Sequence, residues 1–172
     1  METDVIRPAR TTDAQALLEI YRPFVETAAV SFETAAPSAE EFAVRIAKSV
    51  AGWQWLVAER DGRPVGYAYG SAHRQRMAYR WSVEVSVYIA DAYQRQGIGR
   101  ALYERLFQEL ADKGFCNAYA GISLPNDGSI ALHRGMGFEP IGVFKRVGRK
   151  FGRWQDVAWF HRMLRETPPG EL

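Results

Sequence analysis

The chain has 172 residues, 47% hydrophobic and 24% charged, enough for one globular domain with its own core and too few for a second catalytic domain. Its 22 basic and 20 acidic residues leave a net charge of +2, which argues against a nucleic-acid-binding domain but leaves room for a local anion site. The single cysteine, Cys116, gives neither a disulfide framework nor a thiolate zinc site, no run reaches the ~18 apolar residues of a membrane span, and "METDVIRPARTTDAQ" lacks the apolar heart of a signal peptide, so a cytoplasmic protein without membrane or nucleic-acid partners is expected.

In chain order, "DVIRPA" reads as a short first strand. Thr12 or Asp13 can then cap a helix in which Leu17, Leu18, Tyr21, Phe24 and Val25 recur at helical spacing, with Pro23 expected to kink or break it. Ser38 and Glu41 form a capping-box pattern that opens a second helix through about Val50, with Phe42 and Ile46 on one side. "WQWLVAER", Asp61-Gly62 and "PVGYAYGSA" together spell a hairpin. The run 81–89 follows as a strand, with Trp81, Val83, Val85, Val87 and Ile89 on one face and Ser82, Glu84, Ser86 and Tyr88 on the other.

Beyond two close glycines, Ile98, Leu102, Leu106 and Leu110 mark an amphipathic helix that carries a Glu109 to Lys113 pair and stops at Gly114. Cys116 is expected in the strand that includes "NAYAGIS", before a short helix over about 129–135 and closing strands over about 141–147 and 157–164. This order predicts an α+β fold: a mixed, mostly antiparallel, twisted sheet of about six or seven strands flanked by about four helices. One domain is expected over 1–165, with 166–172 a loose tail.

The stretch "SVYIADAYQRQGIGRAL" is the most informative. Glycines at a helix N-terminus let bare backbone N–H groups and the helix dipole meet an anion such as phosphate. The P-loop pattern is absent, and Leu102 stands where a dinucleotide fingerprint needs its third glycine. A tight structural turn is the simpler alternative for two isolated glycines.

The segment Gln94 to Arg100, following an alternating strand and opening an amphipathic helix, resembles the acyl-CoA signature Gln/Arg-x-x-Gly-x-Gly/Ala of the GNAT superfamily of N-acetyltransferases. "LPNDGSIALHRGMGFEPIG" resembles that family's Asn-x-x-Ser-x-x-x-(Tyr/His)-x-x-x-Gly-Phe segment, and the resemblance spans roughly residues 4–165. It implies the GNAT fold and acetyl-CoA as cosubstrate, without a metal. It also implies that the backbone of Val87, Tyr88 and Ile89 holds the pantetheine arm and that the turn Arg95, Gln96, Gly97, Ile98, Gly99 and Arg100 wraps the pyrophosphate. Asn126, Ser129 and His133 would then lie beside the arm.

Acetyl transfer to an amine needs a base for the amine proton and an acid for the departing thiolate. Glu84 lies five residues before Ile89, ~16 Å along a strand, a pantetheine's length from the phosphate turn. On residue type alone Glu84 is an ordinary solvated glutamate. The run "SVEVSVY", however, is similar to the "TVE-x-SVY" of the phosphinothricin and methionine sulfoximine N-acetyltransferases, whose glutamate acts as base or organises water and the substrate amine. His133 replaces the tyrosine of many relatives and is the first candidate acid, with Tyr88 the second.

A free amino acid needs a cation for its carboxylate, and "HRQRMAYRW" supplies Arg74, Arg76 and Arg80. By the same resemblance Arg74, Gln75 and Arg76 stand at the substrate mouth, and Val85 and Ser86 beside Glu84. The late run "VGRKFGRWQDVAW" is similar to the subfamily's closing hairpin, with Lys150, Gly152, Trp154 and Asp156, and a homodimer is implied. The expected activity is N-acetylation of a small amino acid or analogue by direct transfer in a ternary complex. The alternatives are another amine (a peptide N-terminus, a polyamine or an aminoglycoside) and a CoA-binding module without catalysis.

Overall fold

The computed structural model describes residues 4–170. Among them, seven strands form one sheet in the order β1-β2-β3-β4-β5-β7-β6. The strands are β1 (Val5–Pro8), β2 (Trp55–Arg60), β3 (Arg63–Ala72), β4 (Ser82–Ile89), β5 (Asn117–Ser123), β6 (Glu139–Lys150) and β7 (Arg153–Met163). Helices α1 (Ala14–Glu26), α2 (Ala39–Gly52), α3 (Ile98–Asp112) and α4 (Asp127–Gly135) cover its two faces. All neighbouring pairs are antiparallel except β4 and β5, so the sheet is mixed, as expected.

Each face has its own core. On one, α1 and α2 press Leu17, Leu18, Val25, Phe42 and Ile46 against Trp55, Val57 and Tyr67. On the other, Leu102, Leu106 and Leu110 of α3, fully buried, meet Val83 and Val85 of β4. The alternation along β4 assigns the faces: its valines enter the α3 core, while Tyr88 packs with the α1 side. Helix α2 starts at the predicted capping box, with the Ser38 hydroxyl accepting from Glu41 N at 3.1 Å and the Glu41 carboxylate accepting from Ser38 N at 2.8 Å.

Several expectations are corrected. Helix α1 does not end at Pro23 but runs to Glu26, because proline in the last turn removes a single donor, while Thr27 N and Oγ1 both bond to the Pro23 carbonyl. Glu109 pairs with Arg105 at 2.8 Å and Gln54 at 2.5 Å rather than with Lys113, whose ammonium donates to the Trp53 carbonyl. Cys116 lies just ahead of β5, α4 opens two residues earlier than expected, and β6 and β7 are much longer than the expected strands. Of the C-terminal residues expected to be loose, Pro169 rests against Gly114, and 171–172, like 1–3, lie outside the described residues.

Strands β4 and β5 make the opening that matters. Their parallel pairing covers only Ser82, Glu84 and the residue between, opposite Asn117, Ala118 and Tyr119. Beyond that point β4 stays paired with β3 as far as Ile89, and β5 with β7 as far as Ser123, so the two central strands part like a wedge. Backbone groups along one edge of Val85–Ile89 are thereby left for something other than the sheet.

Candidate active site

At the wide end of the wedge, the loop after β4 turns into α3. Arg95 and Gly97 adopt left-handed backbone with φ of +59° and +84°. Gly97 is the N-cap of α3, and no side chain caps the helix. The first amides of α3 therefore point outward, with the positive end of the helix dipole behind them. Val87, Tyr88, Ile89, Arg95, Gly97, Gly99, Arg100, Asn126 and Ser129 all line one cleft of about 340 Å³ here, together with Gly128 and Leu132. The remaining two residues of the turn face elsewhere: the Gln96 side chain pairs with Arg60 at 2.7 Å, and Ile98 is buried in the core, so only their backbone is available.

This cradle fits an acyl-CoA. It has two arginines and uncapped amides for the phosphates, and an unpaired strand edge for the amide-bearing arm. Asn126 belongs both to the cradle and to the helix that walls it: its side chain accepts from Ser129 N at 3.1 Å and so caps α4.

Inside the wedge, a smaller cavity is lined by Val85, Ser86, Val87 and Tyr88 of β4, Ala120 to Ser123 of β5, and Tyr103, Asn126, Ser129 and His133. His133 is only 3% exposed. Its Nδ1 lies 2.7 Å from the Ser129 carbonyl, which can only accept, so Nδ1 carries the proton. Nε2 then accepts from the Tyr103 hydroxyl at 3.0 Å. Burial pushes the imidazole below its usual range, against the opposing pull of the Ser129 carbonyl. Both ring nitrogens are thus committed and the ring is neutral. The Tyr88 phenol is held protonated by burial, far above the ordinary tyrosine range, and its ring is wedged between Tyr21, Phe24 and Tyr67.

A third chamber, also about 340 Å³, continues past Ser86 to Glu84 and is walled by Val30, Phe32, Phe144, Val147, Val157 and Trp159. It shares Val30, Val85, Ser86, Gly121 and Ser123 with the wedge cavity, which in turn shares Val87, Tyr88, Asn126 and Ser129 with the cradle. The three therefore lie side by side along β4, from the phosphate turn to the glutamate. Glu84 Oε1 lies 3.0 Å from His73 Nδ1 and accepts from Arg74 Nη1 at 3.3 Å. Gln75 and Arg76 line, together with His73 and Arg74, a separate depression beside Trp53 and Phe115, and of the three expected mouth residues Arg74 alone also reaches Glu84.

The roof of the Glu84 chamber was not foreseen. The loop between α1 and α2 carries Val30 and Phe32, and the Phe32 ring lies where a side chain at Gly148 would have to go. Lys150, 5% exposed, donates to the Ser31 carbonyl at 2.7 Å, and burial lowers its pKa while Glu33 opposes the shift. Glu33 is held by Arg45 at 2.6 Å and by the Tyr21 hydroxyl at 2.5 Å. On the opposite wall, three residues of β6, Lys145, Arg146 and Val147, are set against Asp156 alone. The Asp156 carboxylate accepts from Arg146 N at 2.8 Å and from Lys145 Nζ at 3.0 Å. Such a bulge turns the strand and re-aims its side chains, here Phe144 and Val147 toward the chamber. Tyr103, Phe32, Phe144 and Trp159 line these cavities and His73 bonds to Glu84 without a sequence signal, since each reads locally as core or loop.

The fold, the wedge and the uncapped glycine turn define an acetyl-CoA-dependent acyltransferase. The chain belongs to the GNAT acetyltransferase family: the model of the acetyltransferase (GNAT) domain matches residues 6–159. It is similar to the phosphinothricin N-acetyltransferase of Alcaligenes faecalis, 41% identical, with 92% of this chain and 82% of that protein covered. It is 36% identical to the L-methionine sulfoximine/L-methionine sulfone acetyltransferase of Salmonella typhimurium, over 94% of this chain and 95% of that one. The crystal structure of a phosphinothricin acetyltransferase from Sinorhizobium meliloti in complex with AcCoA superposes with a TM-score of 0.91 at 37% identity, covering 98% and 95% of the two chains. Among the described residues no helix is long and apolar enough to cross a membrane.

Proposed function

We propose that this N-acetyltransferase acetylates the α-amino group of a small amino acid or analogue of the phosphinothricin, methionine sulfoximine or methionine sulfone type, by direct transfer in a ternary complex. The observation that carries the reading is the row of adjoining cavities from the phosphate turn to Glu84. Its depth suits a pantetheine arm from one side, and the roofed chamber suits a compact amino acid from the other. Arg74 at the glutamate supplies a cation for a carboxylate, and a polycationic amine would be repelled there.

In this reading the substrate ammonium gives a proton to Glu84, and the free amine attacks the thioester carbonyl. The N–C bond forms and the C–S bond breaks, with the electron pair leaving on sulfur. Tyr88, protonated and facing the cradle, gives its proton to the thiolate, and the second proton of the attacking nitrogen, shed as the amide forms, passes through solvent to restore the phenol. His133, neutral and bound at both nitrogens, is the weaker acid candidate and instead fixes Tyr103 and the start of α4 beside the arm.

The site acts in a cytoplasmic homodimer. The support for the dimer is β6, an edge strand exposed along most of its length, with Ile141 57% and Val143 43% exposed. Protection against a toxic amino-acid analogue is a consequence of the same chemistry.

The test is thiol release from acetyl-CoA with methionine sulfoximine, phosphinothricin, a polyamine and an N-terminal peptide as acceptors. Turnover with the amino-acid analogues is expected, and activity confined to the peptide or polyamine overturns the substrate class. Glu84→Gln is expected to lower kcat by roughly 10² to 10⁴ with the acetyl-CoA KM unchanged. A wild-type rate in that variant overturns the role of the base.

A further inference from the structure

We propose that His73 is the positioning residue for Glu84, orienting the carboxylate so that one oxygen is left to meet the substrate amine. This rests on the reading of Glu84 as the base. His73 directly follows β3, and the antiparallel register that sets Ser71 opposite Glu84 brings the imidazole alongside the carboxylate. Among the described residues, the side-chain hydrogen bonds to Glu84 fall on Oε1: His73 Nδ1 at 3.0 Å and Arg74 Nη1 at 3.3 Å. An ionised carboxylate only accepts, so Nδ1 carries a proton and donates. Oε2 is thereby left toward the chamber that Glu84 lines with Ser86 and Trp159.

The two donors are not equivalent. The Arg74 side chain is 48% exposed, its bond to Glu84 is the longer one, and the same nitrogen also donates to the His73 carbonyl at 2.8 Å. A solvated pair of this kind holds geometry weakly. The His73 side chain is 15% exposed and its ring is held before any bond is made. It stacks on Tyr119 at 4.6 Å and 18°, and takes edge contacts from Tyr79 at 5.7 Å and Trp159 at 6.4 Å. Tyr119 is opposite Glu84 in the last residue pair before the strands part, and His161 backs it from β7 at 5.0 Å. The imidazole is therefore anchored to the closed end of the wedge, on the last paired residues of β4 and β5. A base held this way starts aligned, and misalignment by an ångström is worth up to about 100-fold in rate.

Two substitutions separate the hydrogen bond from the packing. His73→Phe keeps the ring on Tyr119 and removes the donor, whereas His73→Asn loses the ring but offers an amide nitrogen at the place of Nδ1. His73→Phe is expected to lower kcat about 10- to 100-fold with the acetyl-CoA KM unchanged, and His73→Asn to recover kcat to within about threefold of wild type. In the Glu84→Gln background His73→Phe is expected to add no further loss. The inference is overturned if His73→Phe turns over at the wild-type rate, or if the asparagine variant is as impaired as the phenylalanine one, which would mark a packing role. Should His73→Phe fail to fold by circular dichroism, His73→Leu serves the same comparison. Failure of the underlying reading is distinguishable, since it appears as a wild-type rate in Glu84→Gln whatever the His73 variants do.

Discussion

His133 illustrates what a residue type can and cannot say. Its position in the Asn-x-x-Ser-x-x-x-His segment was readable and pointed to the cofactor arm, but its protonation was not, because that depends on Tyr103, thirty residues away, and on burial. With its folded-state pKa lowered from 6.5, the neutral ring contributes its full stability above about pH 6.5 and loses it as pH falls through the lower, folded value. The unfolded chain takes up the proton first, so acid favours unfolding. Urea midpoints measured from pH 8 to 5 should fall more steeply for wild type than for His133→Gln, which keeps polar atoms but does not titrate. Equal slopes would mean that His133 takes up its proton equally in both states. His73 is a different case: within "HRQRMAYRW" nothing local tells an anchored histidine from a loop residue, and the arginines carry the stronger signal. Its partners, Tyr119, Trp159 and Glu84, come from three strands that only the fold brings together.

At the scale of elements, the periodic and capped segments were the readable ones. The alternation of β4 separated its two faces, of which the structure packs the valine face against α3, and Ser38 with Glu41 predicted the start of α2. Ser38→Ala should lower stability by about 1 kcal/mol, measured by urea unfolding, with acetyl-CoA binding untouched. The hairpin of β6 and β7 is longer than its sequence pattern shows because a bulge breaks the two-residue period: Lys145 and Arg146 put charge where alternation would ask for an apolar residue, and the Asp156 carboxylate accepts from Arg146 N instead. The turn into α3 was read by composition, and its backbone now gives the reason for glycine. Nothing lies within 4 Å of a Cβ added to Gly97, so steric contact is not the issue; φ of +84° is. Gly97→Ala should strain the turn by roughly 1–2 kcal/mol and raise the acetyl-CoA KM about tenfold, with kcat at saturating acetyl-CoA near wild type. An unchanged KM would mean that the turn does not hold the cofactor.

Over the whole molecule, the order of elements and the mixed sheet followed from the sequence, because each amphipathic helix needs a sheet face to cover and the strands were separately marked. The roof over Glu84 did not, since it joins residues 31 and 150 through one buried lysine and one aromatic contact. The same β6 that supplies the lysine ends the sheet, and this leaves an exposed edge to be managed. Edge strands are commonly blunted by charge, proline or a bulge, and β6 carries all three: Pro140, the run from Lys145 to Arg146, and the displacement opposite Asp156. Yet Ile141 and Val143 remain outward on the segment before the bulge, apolar where a monomer would gain nothing from it. The proposed homodimer would cover this edge and account for them. In sedimentation velocity at micromolar concentration the wild type should run at twice the mass of one chain, and the double variant Ile141→Lys, Val143→Lys as a single chain with a cooperative melt. Neither residue lines the cavities from the phosphate turn to Glu84, so the variant separates assembly from chemistry. A wild type that sediments as one chain, or a double variant that still pairs, would move the dimer contact off β6.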